Sequence, residues 1–170
     1  SGSHSSLIAG STEIYGAGAD YILVNPNGIS VNGGSFVNAN RVTLTTFLPE
    51  YDAGLIFTNR SQKAIEVGEQ GLINTVGCPL TILSSMVQLR GKVVNPQEEV
   101  NIYATRHTYN YASHTLQEAI SLPGPSDIYV AIDASHLGKI EAGKITLVAT
   151  EVGAGVRSPG LNSDGDILIK

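Results

Sequence analysis

The sequence predicts an all-β chain wound as a right-handed parallel β-helix, with one or two segments projecting from it. Three observations carry this expectation. Residues 21–24 form a short apolar strand that stops at Asn25-Pro26-Asn27-Gly28, and a second strand begins at Ile29. Residues 41–46 alternate Val42 and Leu44 against Thr43 and Thr45, the period of a strand with one face buried. Apolar pairs two residues apart then recur: Val42/Leu44, Ile65/Val67, Leu80/Ile82, Val87/Leu89, Val100/Ile102, Ile128/Val130, Ile145/Leu147 and Ile167/Ile169. Several of them are spaced by about 20–23 residues, the length of one solenoid coil.

The corner follows from its residues one by one. Asn25 bonds its own backbone at the first turn position, Pro26 presets φ at the second, Asn27 tolerates the third and Gly28 suits the fourth, which spells a type I β-turn. Strand, corner, strand, corner, strand in about 25 residues is the grammar of a coil rather than a hairpin. A single coil cannot bury its inner face alone, so coils must stack. In that register Leu44 and Leu147 point into the lumen, Thr43 and Thr146 face out, and Leu80 and Val87 belong to different faces of one coil. Two stretches break the rhythm. Residues 47–62, with Pro49, Glu50, Tyr51, Asp52 and Arg60, read as one protrusion. Residues 105–127, ending in Pro123-Gly124-Pro125, read as a hairpin or a long surface loop, with two helical turns at most in 115–121.

Composition agrees with a long β architecture full of tight corners. The chain has 170 residues, 19 glycines, 15% charged residues and no tryptophan, one domain's worth of a Gly-rich, charge-poor sequence. A net charge of −5 argues against nucleic acid, which calls for a basic stripe. No cluster of Lys or Arg meets anionic lipid, and no apolar run is long enough to span a bilayer. Cys78 is the single cysteine, so no internal disulfide forms. Residues 1–6, Ser-Gly-Ser-His-Ser-Ser, read as an expression remnant, leaving 7–170 as one β-helix domain, part of a longer secretion domain.

Few residues carry chemistry. His107, Tyr109, Tyr111 and His114 make the most aromatic stretch, a candidate protruding contact loop, because aromatic rings make strong contacts at low entropic cost. The two histidines have no Cys or carboxylate spaced to complete a zinc set, and no metal is expected. Asp133-Ala134-Ser135-His136 holds the letters of a catalytic triad, but sequence neighbours do not reach triad geometry. Glu50/Asp52 and Asp164/Asp166 are carboxylate pairs that read as solvated turn charges rather than acid/base pairs or calcium ligands. Gly153-Ala154-Gly155 lacks the third glycine of a dinucleotide loop, so no cofactor is expected. Asn59-Arg60-Ser61 is a formal glycosylation sequon. No nucleophile, base and orienting group converge, and the chain reads as non-enzymatic.

The corner also carries a resemblance. Asn25-Pro26-Asn27-Gly28-Ile29, then Phe36-Val37-Asn38 and residues 41–46, resemble the signature of the haemagglutination-activity domain that opens two-partner-secretion exoproteins. Residues 66–74, 131–134, 142–148 and 153–157 resemble its later coils. Many members place a Cys pair where Val31 and Gly34 stand here. The resemblance implies a secretion-recognition and folding-nucleation segment of a large filamentous-haemagglutinin-like adhesin, with Asn25, Pro26, Asn27, Gly28 and Ile29 read by a cognate outer-membrane transporter. Asn32, Asn38 and Asn40 lie near corners of the same coil, where Asn also fits simply by bonding neighbouring backbone. The implied location is secreted or cell-surface, reached through periplasm and outer membrane, and the whole protein would meet a receptor on a host or neighbouring cell. Secretion domains of cytolysins and contact-dependent toxin-delivery proteins share the signature. A polysaccharide-cleaving β-helix enzyme is the more distant alternative, recognisable by charges of successive coils stacked in one groove. The resemblance also implies coils and a cap ahead of the signature. The sequence therefore predicts a raw solenoid end near residues 21–24, either self-associating or covered by residues 7–18 through Ile14 and Tyr15.

Overall fold

The computed structural model describes residues 3–51, 54–119, 130–134, 138–150 and 155–170, the side chains of 118 and 119 excepted. Among the described residues, six successive coils stack along one axis. The first holds β1 (Ser6–Ile8), β2 (Ser11–Glu13) and β3 (Ala19–Val24); the second holds β4 (Ile29–Val31), β5 (Ser35–Val37) and β6 (Ala39–Thr45). A hairpin, β7 (Leu48–Tyr51) and β8 (Leu55–Thr58), precedes the third coil, β9 (Ala64–Val67), β10 (Leu72–Ile73) and β11 (Leu80–Ser84). The fourth is β12 (Met86–Leu89) and the long, bent β13 (Lys92–Ala104), followed by a second hairpin, β14 (His107–Asn110) and β15 (Thr115–Ala119). The fifth is β16 (Val130–Asp133) and β17 (Lys139–Ala149), and the sixth β18 (Gly155–Arg157), β19 (Leu161–Ser163) and β20 (Ile167–Ile169). No helix occurs among the described residues. The coil strands pair in parallel throughout, so the chain is a parallel β-helix.

Aliphatic side chains form columns down the lumen. Tyr21, Val42, Leu80, Val100, Ile145 and Ile167 stack on one face, and Leu23, Leu44, Ile82, Ile102, Leu147 and Ile169 beside them. Ile29, Ile65, Val87, Ile132 and Val156 stack on a second face. Leu72, Val93, Ile140 and Leu161 stack on a third. Each fully buried aliphatic contributes about 1.5–3 kcal/mol, so stability accrues with every coil added. Leu44 and Leu147 are buried in the lumen as the alternation requires. Leu80 and Val87 lie in different sheets as expected, but in successive coils rather than one, since β11 closes the third coil and β12 opens the fourth. Val130 pairs with Gly155; Ile128, its expected companion, lies outside the described residues.

The register explains both irregular stretches. Leu80 sits beside Val100, 20 residues on, and Ile145 beside Ile167, 22 on. The step from Val42 to Leu80 is 38, and from Val100 to Ile145 it is 45. Both hairpins fall within that surplus. They are not separate protrusions: β14 pairs antiparallel with β8, Tyr109 opposite Phe57, giving one four-stranded sheet in the order β15-β14-β8-β7. Pro49, lacking an N–H, sits on edge strand β7, where it interrupts no ladder. Residues 115–119 are a strand rather than helical turns, because pairing with β14 satisfies their backbone.

This sheet lies on the outward face of the helix, and Phe47, Phe57, Leu83 and Tyr109 form a second apolar cluster beneath it, flanked by Ile22, Val24 and Tyr103. Thr43 faces outward from β6 as expected, but it is fully buried there, and Thr146 is only 9% exposed. Outward from the lumen is therefore not outward to solvent on this face.

The expected raw end near residues 21–24 is also displaced. Residues 6–24 make a complete coil, β1 on β4, β2 on β5 and β3 on β6. A domain start at residue 7 would cut β1. Tyr15 does not cover the lumen, being 99% exposed, while half-buried Ile14 donates its N–H to Val37 O along the stack. Gly34 shows how tightly the turn after β4 is packed. A Cβ there would come within 2.7 Å of Val31 Cγ1, 3.1 Å of Ile8 Cγ2 and 3.4 Å of Leu72 Cδ1, so three apolar side chains fill the space beside it.

Candidate functional site

The corner between β3 and β4 is a closed hydrogen-bonded unit. Gly28 N–H donates to Asn25 O across 3.0 Å, completing the turn, and Gly28 adopts φ +108°, a conformation that side chains disfavour. Asn25 Oδ1 accepts from Asn27 N–H at 2.9 Å. Asn25 Nδ2 donates backwards to His4 O at 3.0 Å and Ser6 Oγ at 2.9 Å. Ser6 N–H donates to Gly28 O, and Asn25 N–H to Thr45 O. Ser61 Oγ donates to Pro26 O at 2.5 Å from the next coil. Gly28 is buried and Ile29 is 2% exposed. The signature thus binds three coils together, and residues 4–6 take part in it.

The other asparagines of the coil do corner work as well. Asn32 Oδ1 accepts from Gln70 N–H at 3.0 Å. Asn38 stands at φ 59° and its Nδ2 donates to Ile14 O and Gly16 O at 2.7 and 2.8 Å. Asn40 is exposed. A further polar corner was not singled out from sequence. Buried Asn74 accepts from Phe36 N–H and donates to Asn95 Oδ1 at 3.1 Å, and Asn95 donates to Cys78 O and Glu99 O. Its sequence signal is that the two asparagines stand one coil length apart. Burial pushes the Cys78 thiol up, against the hydrogen bond from Asn74 that lowers it, and Glu98 adds to the rise.

The aromatic stretch turns inward. Tyr109 is 2% exposed and packs against Tyr103, ring centroids 5.6 Å apart. It therefore anchors the outer sheet instead of protruding. Tyr111 packs edge-on to Phe57 and donates its hydroxyl to Asp20 Oδ2 at 2.7 Å. Burial and that carboxylate push the Tyr111 phenol up, and burial lifts Tyr103 to about 12. His107 Nδ1 lies 2.9 Å from Thr105 Oγ1 and 3.2 Å from Thr150 Oγ1. His114 Nδ1 lies 2.9 Å from Arg41 Nη1. The two histidines thus sit in different hydrogen-bonded clusters, and no set of His, Cys, Asp or Glu able to hold a metal occurs among the described residues. Arg41 and Asp20, which fasten this hairpin, carried no signal in the sequence beyond their place on signature strands.

The remaining candidates resolve one by one. Asn59 of the sequon is 1% exposed, with its amide committed to Ser85 Oγ and Thr105 O. Glu50 pairs with Arg60 at 2.9 Å; Asp52 lies outside the described residues, as do Ser135, His136 and residues 153–154. Asp164 and Asp166 flank Gly165 in the turn between β19 and β20, where Gly165 N–H donates to Gly143 O. On the outward side of the second face, Glu66, Gln88, Asp133 and Arg157 stand in register. Glu66 bonds Arg90 at 2.9 Å, and Asp133 has Arg157 at 4.0 Å, so each carboxylate faces a guanidinium rather than the other carboxylate.

A family model described as a TPS (two-partner secretion) secretion domain matches residues 1–168. Filamentous hemagglutinin of Bordetella pertussis is 35% identical across 96% of this chain, and tRNA nuclease CdiA-2 of Burkholderia pseudomallei is 35% identical across 91%. Hemolysin of Proteus mirabilis is 28% identical across 97%. The chain spans only 5%, 5% and 10% of those three proteins. The crystal structure of a filamentous hemagglutinin secretion domain superposes with a TM-score of 0.91 at 32% identity, covering 99% of this chain and 59% of that one. A TPS secretion domain marks an exoprotein sent by a cognate outer-membrane transporter to the cell surface or beyond. The chain belongs to the TPS secretion domain family of filamentous-haemagglutinin-like exoproteins.

Proposed function

We propose that the corner at residues 25–29 is read by the outer-membrane transporter while the chain is still extended, and that its closure then nucleates coil-by-coil folding outside. The occupancy of the corner carries this reading. In the folded chain the Asn25 amide is engaged at both ends and Gly28 and Ile29 are buried. A partner that discriminates the Asn-Pro-Asn-Gly-Ile string meets it with those groups free, before the coil forms. Nucleation follows from nearest-neighbour stacking, since each closed coil presents aliphatic columns and a strand edge to the next. This segment acts without catalysis of its own. Its paired carboxylates support that view, and activities in the names of its relatives belong to proteins ten to twenty times longer.

The test compares export with stability. Asn25→Ala, Asn27→Ala and the distant Leu147→Ala are placed in the full exoprotein for secretion assays and in this domain for thermal melts. The expected result is that both corner variants lose more export than Leu147→Ala at equal or smaller loss of stability. Export that tracks stability across all three makes the corner structural only and ends the recognition reading.

The class of the whole exoprotein is a second question. The equal 35% identity to a haemagglutinin and to a CdiA nuclease supports adhesion and contact-dependent toxin delivery alike, with haemolysis beside them. Receptor contact on a host or neighbouring cell is part of that proposal. Adhesion, haemolysis and growth-inhibition assays of the whole protein separate the three.

A further inference from the structure

One histidine fastens the second hairpin to the second coil. His114 stands at φ 55°, a left-handed conformation uncommon for a residue with a side chain. The turn before it is fixed by Asn110, whose Oδ1 accepts from the N–H groups of Ala112 and Ser113. Arg41 of β6 reaches His114 Nδ1 at 2.9 Å, and the Tyr109 hydroxyl lies 3.2 Å from the same nitrogen. A guanidinium carries donors only. Nδ1 is therefore the acceptor, and the imidazole is neutral with its proton on Nε2. A proton added at Nδ1 would set N–H against N–H and cation against cation at that distance.

The surrounding charges are mixed. Arg41 comes from β6, Asp20 from β3, and Tyr109 and Tyr111 from the hairpin itself. Glu99 and Tyr103 of β13, Lys144 of β17 and Lys170 after β20 line the groove that His114 shares. Asp20 and Glu99 favour the imidazolium, but burial and then Arg41 outweigh them and hold the imidazole below its ordinary value. The lumen cluster beneath is aliphatic, with Phe36 and the thiol of Cys78, and has no group that titrates in the same window.

We propose that the Arg41–His114 contact is an acid-sensitive latch: the neutral imidazole holds the hairpin tip on β6 of the second coil, and protonation at Nδ1 releases the tip while the helix beneath stays folded. Because the folded-state value is depressed, the latch is complete above the ordinary histidine value of about 6.5 and is lost as pH falls through the lower one. The latch stands independently of transporter recognition.

Hydrogen exchange of the 170-residue chain at pH 7.5 and pH 5.0, corrected for intrinsic rates, tests it in the wild type and in His114→Asn. Asn Oδ1 matches the position of Nδ1, accepts and takes no proton, and Asn tolerates the left-handed φ of this residue. In the wild type, protection over residues 107–116 is expected to fall about tenfold or more at pH 5.0 while β11 and β13 hold theirs. In His114→Asn the fall should be less than about twofold. An equal fall in both proteins, which would implicate His107 or another group, overturns the latch, as does no fall in the wild type. Imidazole nitrogen shifts of the wild type give a second reading that needs no variant. An Nε2–H tautomer with a midpoint below about 6.5 supports the latch, and an Nδ1–H tautomer or a higher midpoint overturns it.

Discussion

Leu44 and Thr43 are neighbours on β6 and both are fully buried, yet they belong to different layers. Leu44 lies in the lumen between Leu23 of the preceding coil and Ile82 of the following one, both in register with it. Thr43 lies under the antiparallel sheet, near a cluster of aromatic rings held by polar clasps from Tyr111 to Asp20 and from Arg41 to His114. The lumen is assembled from like residues stacked in register, so each coil extends the columns of the one before it. The outer layer is assembled from unlike residues at two insertions, and it forms only when both are present. The first arrangement is extensible and largely insensitive to pH. The second is local, and its clasps use titratable groups.

The largest expected effect breaks the lumen. Leu44→Ala should cost about 2–5 kcal/mol, the lost transfer energy plus the cavity left between two rigid rungs, measured by chemical denaturation. Cys78 reports the same event: its buried thiol, pushed up by burial, should resist a thiol reagent until the coils open. A loss below about 1 kcal/mol would mean that the columns do not carry the stability.

Next comes the corner that ties coils together. Asn25→Ala removes three side-chain hydrogen bonds and leaves Asn27 N–H to find another acceptor, for about 1–3 kcal/mol. Denaturation midpoints of this variant against Asn40→Ala, at an exposed position, sharpen the contrast, since the latter should stay within about 0.5 kcal/mol of wild type.

A smaller change probes the outer layer. Tyr109→Phe keeps the ring that fills the second cluster and deletes the hydroxyl 3.2 Å from His114. It should cost about 0.5–1.5 kcal/mol, visible as faster amide exchange over residues 107–116 with β11 unaffected. Uniform loss across the helix would join the two layers into one cooperative unit. The smallest effect is on the surface: Lys139→Met should let the Glu141 carboxyl, now held low by Lys139, return to its usual range, with no resolvable change in the melt.

Much of this was written locally. Strict alternation at Val42/Leu44, Leu80/Ile82 and Ile145/Leu147 fixed which side chains fill the lumen, because strand geometry sends successive residues to opposite faces. Asn25, Pro26 and Gly28 fixed the corner, since turn chemistry depends on four adjacent residues. The coil period alone marked residues 47–62 and 105–127 as surplus. Their destination was another matter. Tyr109 pairs with Phe57 from 52 positions away, and nothing in either hairpin names its partner, because antiparallel pairing is specified by what lies across the sheet. From that one long-range choice follow the burial of Thr43, the inward turn of Tyr109 and the meeting of His114 with Arg41. The sequence by itself determined the coil, its inner face and its corners, which rest on contacts within one or two turns of chain. Tertiary structure alone decided the outer layer, where the burial of each residue depends on a segment the chain brings back from far along its length.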